Sequence, residues 1–291
     1  MMLWTLLPLL VAAETDDGLA KKMLPIYVKE AQTYSFAVES APKEAAELKK
    51  EAAFEWLNAA RGDTQGAVFL WLRNGRPVAL ACIFSYPHYR LPGRLIVHEL
   101  HALDAEKLLV KRNAGNEWKP RAGLARNELA EAVPPAASPG ARLVQMRRLA
   151  QEFSGHSIDR DAKRWELRLL PTPLHRYSPA KSGVVDGALF AIMSSAGTDP
   201  EVLLVIEARE VEGKLRWEYA CGRFSDWELH VQRKGKEVYE SVPSQSNLID
   251  HDLLHLYRIY PEKVMTPEGK LLARVRQMPS GASELIRVED K

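Results

Sequence analysis

Two apolar runs joined by a two-residue turn restrict the fold of this chain more than any other feature. The runs cover residues 66–72 and 78–86 within "GAVFLWLRNGRPVALACIFSYP", and Asn74-Gly75 lies between them. Both turn residues tolerate positive φ, and this dipeptide is a strong short-range signal for a β-hairpin. Because each run is apolar at nearly every position, we expect both faces of the hairpin to be covered.

A similar order of segments recurs later in the chain. Apolar runs at 187–193 and 202–208 flank a second turn, and "GALFAI" at residue 187 is spelled much like "GAVFLW" at residue 66. Internal similarity of this kind predicts that a structural unit is repeated. The expected fold class is therefore α+β, mainly antiparallel sheet built from two similar meanders, with a few packed helices.

The expected organisation has three parts, with a connector rich in Pro near residue 135 separating two halves. These parts are a signal peptide at 1–13, a first α+β half at 14–130 with the hairpin 66–86, and a second α+β half at 131–291. The second half should contain a helix over 139–154, a hairpin over 187–208 and C-terminal strands. Ser138 followed by Pro139 is typical of a helix start. The composition after Pro42 also favours a helix.

The first thirteen residues, "MMLWTLLPLLVAA", have the pattern of a cleaved secretion signal. They form a short apolar run in which Val11 and Ala13 satisfy the small-residue rule for signal peptidase. A membrane span needs roughly 20 apolar residues, so the run is too short to be one. We expect an exported, soluble mature protein without a membrane span, located in the periplasm or cell envelope.

Charge and cysteine content exclude one class of partner and leave one question open. Forty Lys and Arg residues against 38 Asp and Glu residues give a formal net charge of +2, so no nucleic-acid partner is expected. Cys82 and Cys221 are the only cysteines. They could pair in an oxidising compartment or remain buried thiols, and the sequence does not decide between these alternatives.

A possible metal site lies near the C-terminus, in "SNLIDHDLLHLYRIYP". If residues 248–259 form a helix, His251 and His255 are four residues apart on one face and could bind one zinc ion. Asp252 would then stand where a general base is needed, but with a carboxylate one methylene shorter than glutamate. Because no spacing identifies a third ligand, and because the helix would bury its opposite face, zinc is the alternative and no cofactor is the main expectation.

A second pair of histidines occurs in "VHELH", residues 97–101. The preceding "RLIV" favours a strand, and positions three apart on a strand face opposite sides. His98 and His101 are therefore not expected to share an ion, although Glu99 and His101 could have separate partners at a strand end. Motifs for a hydrolase serine or a phosphate-binding loop do not occur in the sequence.

Trp118 is the tryptophan that the sequence most favours as a ligand-binding residue. It lies in "GNEWKPRAG", among residues typical of loops, whereas Trp217 and Trp227 lie in strand-like segments where core packing is the default. An exposed indole at residue 118 could stack on a ligand such as a carbohydrate.

Three stretches, "QGAVFLW", "VDGALFA" followed by "GTDPEVLLVIEAR", and "RLVQMRRLAQEF", are similar to a family of uncharacterised predicted secreted proteins of planctomycete bacteria. The resemblance covers residues from about 54 to 232. It implies secretion and a shared architecture, and it assigns no catalytic residues.

The sequence therefore predicts an exported binding or structural module whose ligand it does not name. A cell-envelope component or a carbohydrate is the expected kind of partner. The alternative is a metal-dependent hydrolase that uses His251 and His255 as zinc ligands and Asp252 as base.

Overall fold

The computed structural model describes residues 16–58, 62–112, 118–179, 183–195, 197–242, 255–277 and 283–288. Most of these residues lie in antiparallel strands, and two helices accompany them, which confirms the expected α+β class. Within the described ranges, neither helix has the length and apolar character needed to cross a membrane.

Helices and strands alternate along the chain in three parts. The first part contains α1 Asp16–Ala31, β1 Tyr34–Val38, β2 Glu47–Leu48, β3 Phe54–Asn58, β4 Thr64–Arg73, β5 Arg76–Pro87, β6 Arg94–Ala102 and β7 Leu108–Arg112. The middle part contains β8 Asn127–Glu128, α2 Pro139–Ala150, β9 Phe153–Ile158, β10 Arg164–Leu169, β11 His175–Tyr177, β12 Val184–Ser194, β13 Pro200–Val211, β14 Lys214–Arg223, β15 Glu228–Arg233 and β16 Lys236–Ser241. The last part contains β17 Tyr257–Met265, β18 Leu271–Gln277 and β19 Ser283–Arg287.

Two large antiparallel sheets pack face to face. The first sheet has the strand order β19-β18-β17-β6-β5-β4-β2, with β3 also paired to β4. The second has the order β16-β15-β9-β10-β12-β13-β14-β8, with β11 also paired to β12. Apolar residues of both sheets share one core between them, including Leu70, Leu80, Leu189 and Leu203.

A helix covers the outer face of each sheet. Helix α1 packs on β4 and β5, and the small β1–β7 sheet joins it in a core that contains Phe36 and Trp71. Helix α2 packs on β12 and β13 over a core that contains Met146 and Phe190. The layers are therefore helix, sheet, sheet, helix, and both central hairpins are buried on their two faces, as their sequences predict.

The central hairpin of the first sheet is the predicted one. Strands β4 and β5 are joined by Asn74 and Gly75, whose φ angles of 51° and 81° both lie in the left-handed region. This geometry matches the right-handed twist of the two strands, which explains why the Asn-Gly pair stands there. Strand β6 then extends the meander, also as predicted.

The second hairpin, β12 and β13, occupies the centre of the second sheet, and β14 extends it. The two hairpins share one detail of register: Trp56 lies opposite Gly66 on β4, and Tyr177 lies opposite Gly187 on β12. A Cβ atom on either glycine would stand within 3.0 Å of the opposing aromatic ring. Each glycine therefore makes room for a ring, although whether the meanders are true repeats stays a prediction.

Helix α2 begins where the sequence predicts and ends earlier. Ser138 caps it by accepting a hydrogen bond from the Ala141 backbone amide, and Pro139 occupies the first turn. The helix ends at Ala150 rather than residue 154, because Phe153 already pairs within the second sheet. The helix predicted after Pro42 is wrong; that stretch forms turns and the short strand β2.

The C-terminal strands were expected with the second half of the chain, but they extend the first sheet. Strand β17 pairs with β6, and β18 and β19 continue outward from it. Strand β8, near residue 128, conversely pairs with β14 of the second sheet. Each sheet therefore recruits an edge from the other part of the chain.

Arg76 on β5 binds Glu207 on β13 and connects the two sheets. Its Nε and Nη2 donate to the two carboxylate oxygens at 2.7 and 3.2 Å, and its Nη1 donates to Asp104 at 2.9 Å. Arg126 and the Tyr177 hydroxyl also donate to Glu207, at 3.1 and 2.8 Å. Burial alone would raise the pKa of Glu207, but Arg126 and Arg76 outweigh it and lower the pKa to about 2.

Candidate functional site

A cavity of about 620 Å³, the inter-sheet pocket, lies between the two sheets. Strands β3, β5, β6 and β17 of the first sheet line one side. The other side consists of connections of the second sheet: residue 160 after β9, residue 199 before β13 and residues 224–227 between β14 and β15. Connections of this kind commonly carry binding residues on a rigid scaffold.

Strand alternation determines which side chains of the first sheet reach the pocket. On β6, Ile96 and Leu100 belong to the core under α1, whereas Val97 and Glu99 line the pocket on the opposite face. Glu99 is therefore directed into the pocket by its position within an otherwise apolar strand.

Aromatic rings form much of the pocket wall. Trp56 and Phe84 lie with ring centroids 5.9 Å apart and planes inclined by 42°, and Trp227 is half-buried on the side of the second sheet. Tyr86 is 37% exposed and also lines the cavity. The Trp56 indole is held in place because its Nε1 donates to Cys82 Sγ at 3.3 Å.

Glu99 is the most perturbed acid of the pocket. It is buried, and the Tyr257 hydroxyl donates to its Oε1 at 2.7 Å. Burial raises the pKa of Glu99 well above its usual range; the hydrogen bond from Tyr257 and the charge of Arg223 oppose this rise, and the charges of Asp226 and Asp199 add to it. A protonated Glu99 can donate a hydrogen bond as well as accept one.

Further polar groups converge on the same cavity. Asn58 is 6% exposed, and its Nδ2 has no hydrogen-bond partner within the described part of the chain. Arg160 forms an ion pair with Asp226, and Arg223 lies 5.0 Å over the Tyr257 ring. Buried amide donors normally have partners, so Asn58 marks a point where a ligand or water atom can bind.

The charges around the pocket balance one another. Asp199 and Asp226 carry negative charge, whereas Arg160 in the wall and Arg223 beside Tyr257 carry positive charge. The raised pKa of Glu99 favours its neutral form. An environment with little net charge does not favour an ionic ligand over a neutral polar one.

Trp118 is not the exposed aromatic that the sequence predicts, and that expectation is wrong. Its side chain is 2% exposed and packs edge-on against Phe36 with ring centroids 6.2 Å apart. Its Nε1 donates to the backbone carbonyl of His255 at 2.8 Å. A buried tryptophan needs such a partner, and a carbonyl 137 residues away supplies it.

The histidines of the zinc hypothesis fall mostly outside the described residues. His251 and Asp252 lie there, and His255 is an exposed residue in a bend. The helix predicted over 248–259 is wrong at its C-terminal end, because β17 starts at Tyr257 and pairs with β6. Across the described ranges, no group of three or more His, Cys, Asp or Glu side chains is arranged to hold a metal ion.

The second histidine pair behaves as predicted. His98 and His101 lie on the strand β6 and point to opposite faces. His98 contacts the Tyr34 hydroxyl at 2.6 Å on the α1 side, whereas His101 packs against Gly222 of the second sheet. Burial lowers the pKa of His101 to about 4, so this residue is a neutral core histidine.

The cysteines remain unpaired thiols in the structure, and both are buried. Cys82 belongs to the core between the sheets, whereas Cys221 belongs to the core under α2. Burial raises the pKa of both thiols, that of Cys221 to about 12. Their separate locations explain why they do not pair.

The residues of the inter-sheet pocket carry little signal in the sequence. The clearest is a glutamate at position 99 inside an apolar strand, where a carboxylate is costly without a special environment. Asn58, Asp199 and Asp226 occur in ordinary polar contexts. No protein-family model, curated protein or solved structure matches the chain.

Proposed function

We propose that the protein is a binding module that takes a neutral, polyhydroxylated ligand of the carbohydrate type in the inter-sheet pocket. The observation that carries the proposal is the convergence of aromatic rings with an amide, an uncharged acid and an aspartate. These groups are Trp56, Phe84 and Trp227 on the apolar side, and Asn58, Glu99 and Asp199 on the polar side.

The chemistry of the groups suits a sugar. A pyranose ring has an apolar face of C–H groups that packs on an aromatic ring, and a rim of hydroxyls that both donate and accept hydrogen bonds. Ionised Asp199 accepts, the Asn58 Nδ2 donates, and neutral Glu99 can do either. The ligand would leave few polar groups without a partner, which is what affinity for a polar molecule requires.

The size of the pocket is consistent with this ligand class. Small-molecule sites in proteins have volumes of about 300–1,000 Å³ and combine apolar walls with a few placed polar groups. At about 620 Å³ the inter-sheet pocket has room for a mono- or disaccharide.

Titration with neutral sugars tests the proposal. We expect cellobiose or maltose to change the tryptophan fluorescence saturably, and glucosamine and glucuronate to bind more weakly because the charges around the pocket balance. Trp227→Ala and Asn58→Ala should each weaken binding by about tenfold or more. Trp165→Ala is the matched control, because Trp165 lies on β10 and does not line the pocket.

Two outcomes would overturn the proposal. One is that no neutral saccharide of the panel binds at millimolar concentration, although far-ultraviolet circular dichroism shows a folded protein. The other is that glucosamine binds more tightly than the neutral sugars, which would make the pocket a site for cations. Equal losses in Trp165→Ala and Trp227→Ala would assign the fluorescence change to another part of the protein.

Export to the periplasm or cell envelope is also proposed, supported by the apolar run at residues 1–13. The mass of the protein recovered from its host tests it, and an intact Met1 would contradict cleavage. The two meanders are further inferred to be repeats of one unit, supported by the Trp56–Gly66 and Tyr177–Gly187 pairs. A superposition in which each hairpin carries its own covering helix onto the other is the test.

A zinc hydrolase using His251 and His255, with Asp252 as base, is the alternative proposal. Its support is the spacing of these residues in the sequence alone. Metal analysis of the untagged protein tests it. Stoichiometric zinc that is lost in His255→Ala would favour the hydrolase, whereas unchanged trace metal in both proteins would reject it.

A further inference from the structure

A second cavity, of about 340 Å³, lies on the opposite face of the first sheet, between α1 and strands β3 and β4. We name it the helix-side groove. Its lining includes Ala20, Leu24 and Tyr27 from the helix, Leu57 from β3, and Gln65 and Ala67 from β4. Most of these side chains are apolar, so the groove suits the body of an apolar ligand.

Gln65 is the exception in this lining. Its side chain is 2% exposed, and neither Oε1 nor Nε2 has a hydrogen-bond partner among the residues that the structure describes. Strand alternation places Gln65 on the same face as Ala67 and Phe69, which belong to the core under α1. An amide with both ends unpaired is costly to bury, about 1–3 kcal/mol for each unsatisfied group.

The neighbouring polar groups have partners of their own. The Tyr27 hydroxyl contacts Ser85 Oγ at 2.7 Å and donates to the backbone carbonyl of Gln65 at 3.1 Å. Ser85 also accepts from Arg94 Nε at 2.9 Å. These contacts fix the backbone beneath Gln65 and leave its side-chain amide as the polar group presented to the groove.

We propose that the helix-side groove binds a small carboxamide or lactam, with its amide paired to the Gln65 amide and its apolar body against Leu24, Leu57 and Ala67. A carboxamide offers one donor and one acceptor side by side, which is the complement of the Gln65 pair. A carboxylate offers acceptors alone and would leave Gln65 Oε1 unpaired. A ketone would likewise leave Oε1 without a donor.

Benzamide is the probe that tests this proposal, measured by saturation-transfer NMR and by the shift in thermal midpoint. We expect benzamide to bind, and benzoate and acetophenone, which share its ring but lack its amide N–H, to bind at least about tenfold more weakly. Gln65→Leu should reduce benzamide binding by a similar factor and leave the protein folded, because leucine fills much the same volume without a polar group.

Two further variants show whether benzamide occupies the groove itself. Ala20→Phe should abolish benzamide binding by filling the groove while leaving Gln65 unchanged. Asn58→Ala, in the inter-sheet pocket, should leave benzamide binding unchanged, so that the two proposed sites can fail independently. No detectable benzamide binding to the wild type, equal binding of benzoate, or full binding to Gln65→Leu would each overturn the proposal.

Discussion

The Tyr257 hydroxyl donates a hydrogen bond of 2.7 Å to Glu99 Oε1, and both residues are buried on neighbouring strands of the first sheet. The pair places an acid with a raised pKa at the inter-sheet pocket. This arrangement makes the stability of the protein depend on pH in a direction opposite to that of an acid in an ion pair.

Glu99→Gln should reveal that dependence. In the unfolded chain the carboxyl ionises near pH 4.5, but the folded protein keeps its proton to higher pH, so wild type loses stability as pH rises above 4.5. The slope is at most about 1.4 kcal/mol per pH unit. Glutamine has no proton to lose, so the unfolding free energy of wild type should fall relative to the variant between about pH 5 and pH 8.

Urea unfolding of both proteins across this range measures the difference. Glu166→Gln on β10 is the control, because Glu166 is exposed and pairs with Arg164 at the surface. If wild type and Glu99→Gln show parallel profiles, Glu99 is ionised in the folded protein and the neutral character proposed for the pocket is wrong.

Glu207→Gln should destabilise the protein strongly. Glu207 is fully buried and receives hydrogen bonds from Arg76, Arg126 and Tyr177 across the two sheets. Removing its charge leaves buried guanidinium groups undercompensated, at a cost of about 3–5 kcal/mol. Because its pKa is lowered to about 2 in the folded state, this stabilisation is present above pH 4.5 and lost as pH falls toward 2.

Chemical denaturation at neutral and acidic pH checks this prediction. The gap between wild type and Glu207→Gln should narrow as the pH is lowered from 4.5 toward 2. Glu166→Gln again serves as the exposed control and should have little effect. A gap that stays constant with pH would show that lost packing, and not lost charge, causes the effect.

The local features of the fold could be predicted from the sequence, because their causes are local. Asn74-Gly75 specifies the β4–β5 turn through its own backbone preferences, and Ser138-Pro139 starts α2 by capping and by its fixed φ. The opposite orientation of His98 and His101 follows from strand alternation alone.

The remaining errors share a different origin, which is contact between distant parts of the chain. Trp118 was expected to be exposed because its neighbours are loop residues, yet Phe36 and the His255 carbonyl bury it. Tyr257 was expected in a helix, yet pairing with β6 makes it a strand residue. The polar groups of the inter-sheet pocket come from separate segments, and no local pattern indicates that they meet.

Gly66→Ala should damage both the stability of the protein and its inter-sheet pocket. An added Cβ would stand 2.5 Å from Phe84 Cβ and 2.9 Å from Trp56 Cζ2, so the wall of the pocket would have to move. We expect a loss of about 1–3 kcal/mol of stability and weaker sugar binding. Gly140→Ala is the matched control; its Cβ meets nothing within 4 Å on α2, so stability should be unchanged or higher.

Urea unfolding and the sugar titration give the two readouts for Gly66→Ala. Unchanged stability together with unchanged sugar binding would mean that the Trp56 ring does not lie over Gly66. Lost stability with intact sugar binding would instead place the ligand away from Trp56.

Both cysteine thiols should be unreactive in the folded protein. Cys82 and Cys221 are free and buried, and burial raises the pKa of each, so little thiolate is present to attack a reagent. Ellman's reagent at mildly alkaline pH should release no colour from folded protein and two equivalents in guanidinium chloride. Cys221→Ala should release one equivalent on unfolding, whereas no release from unfolded wild type would demonstrate a disulfide and contradict the separate locations of the two thiols.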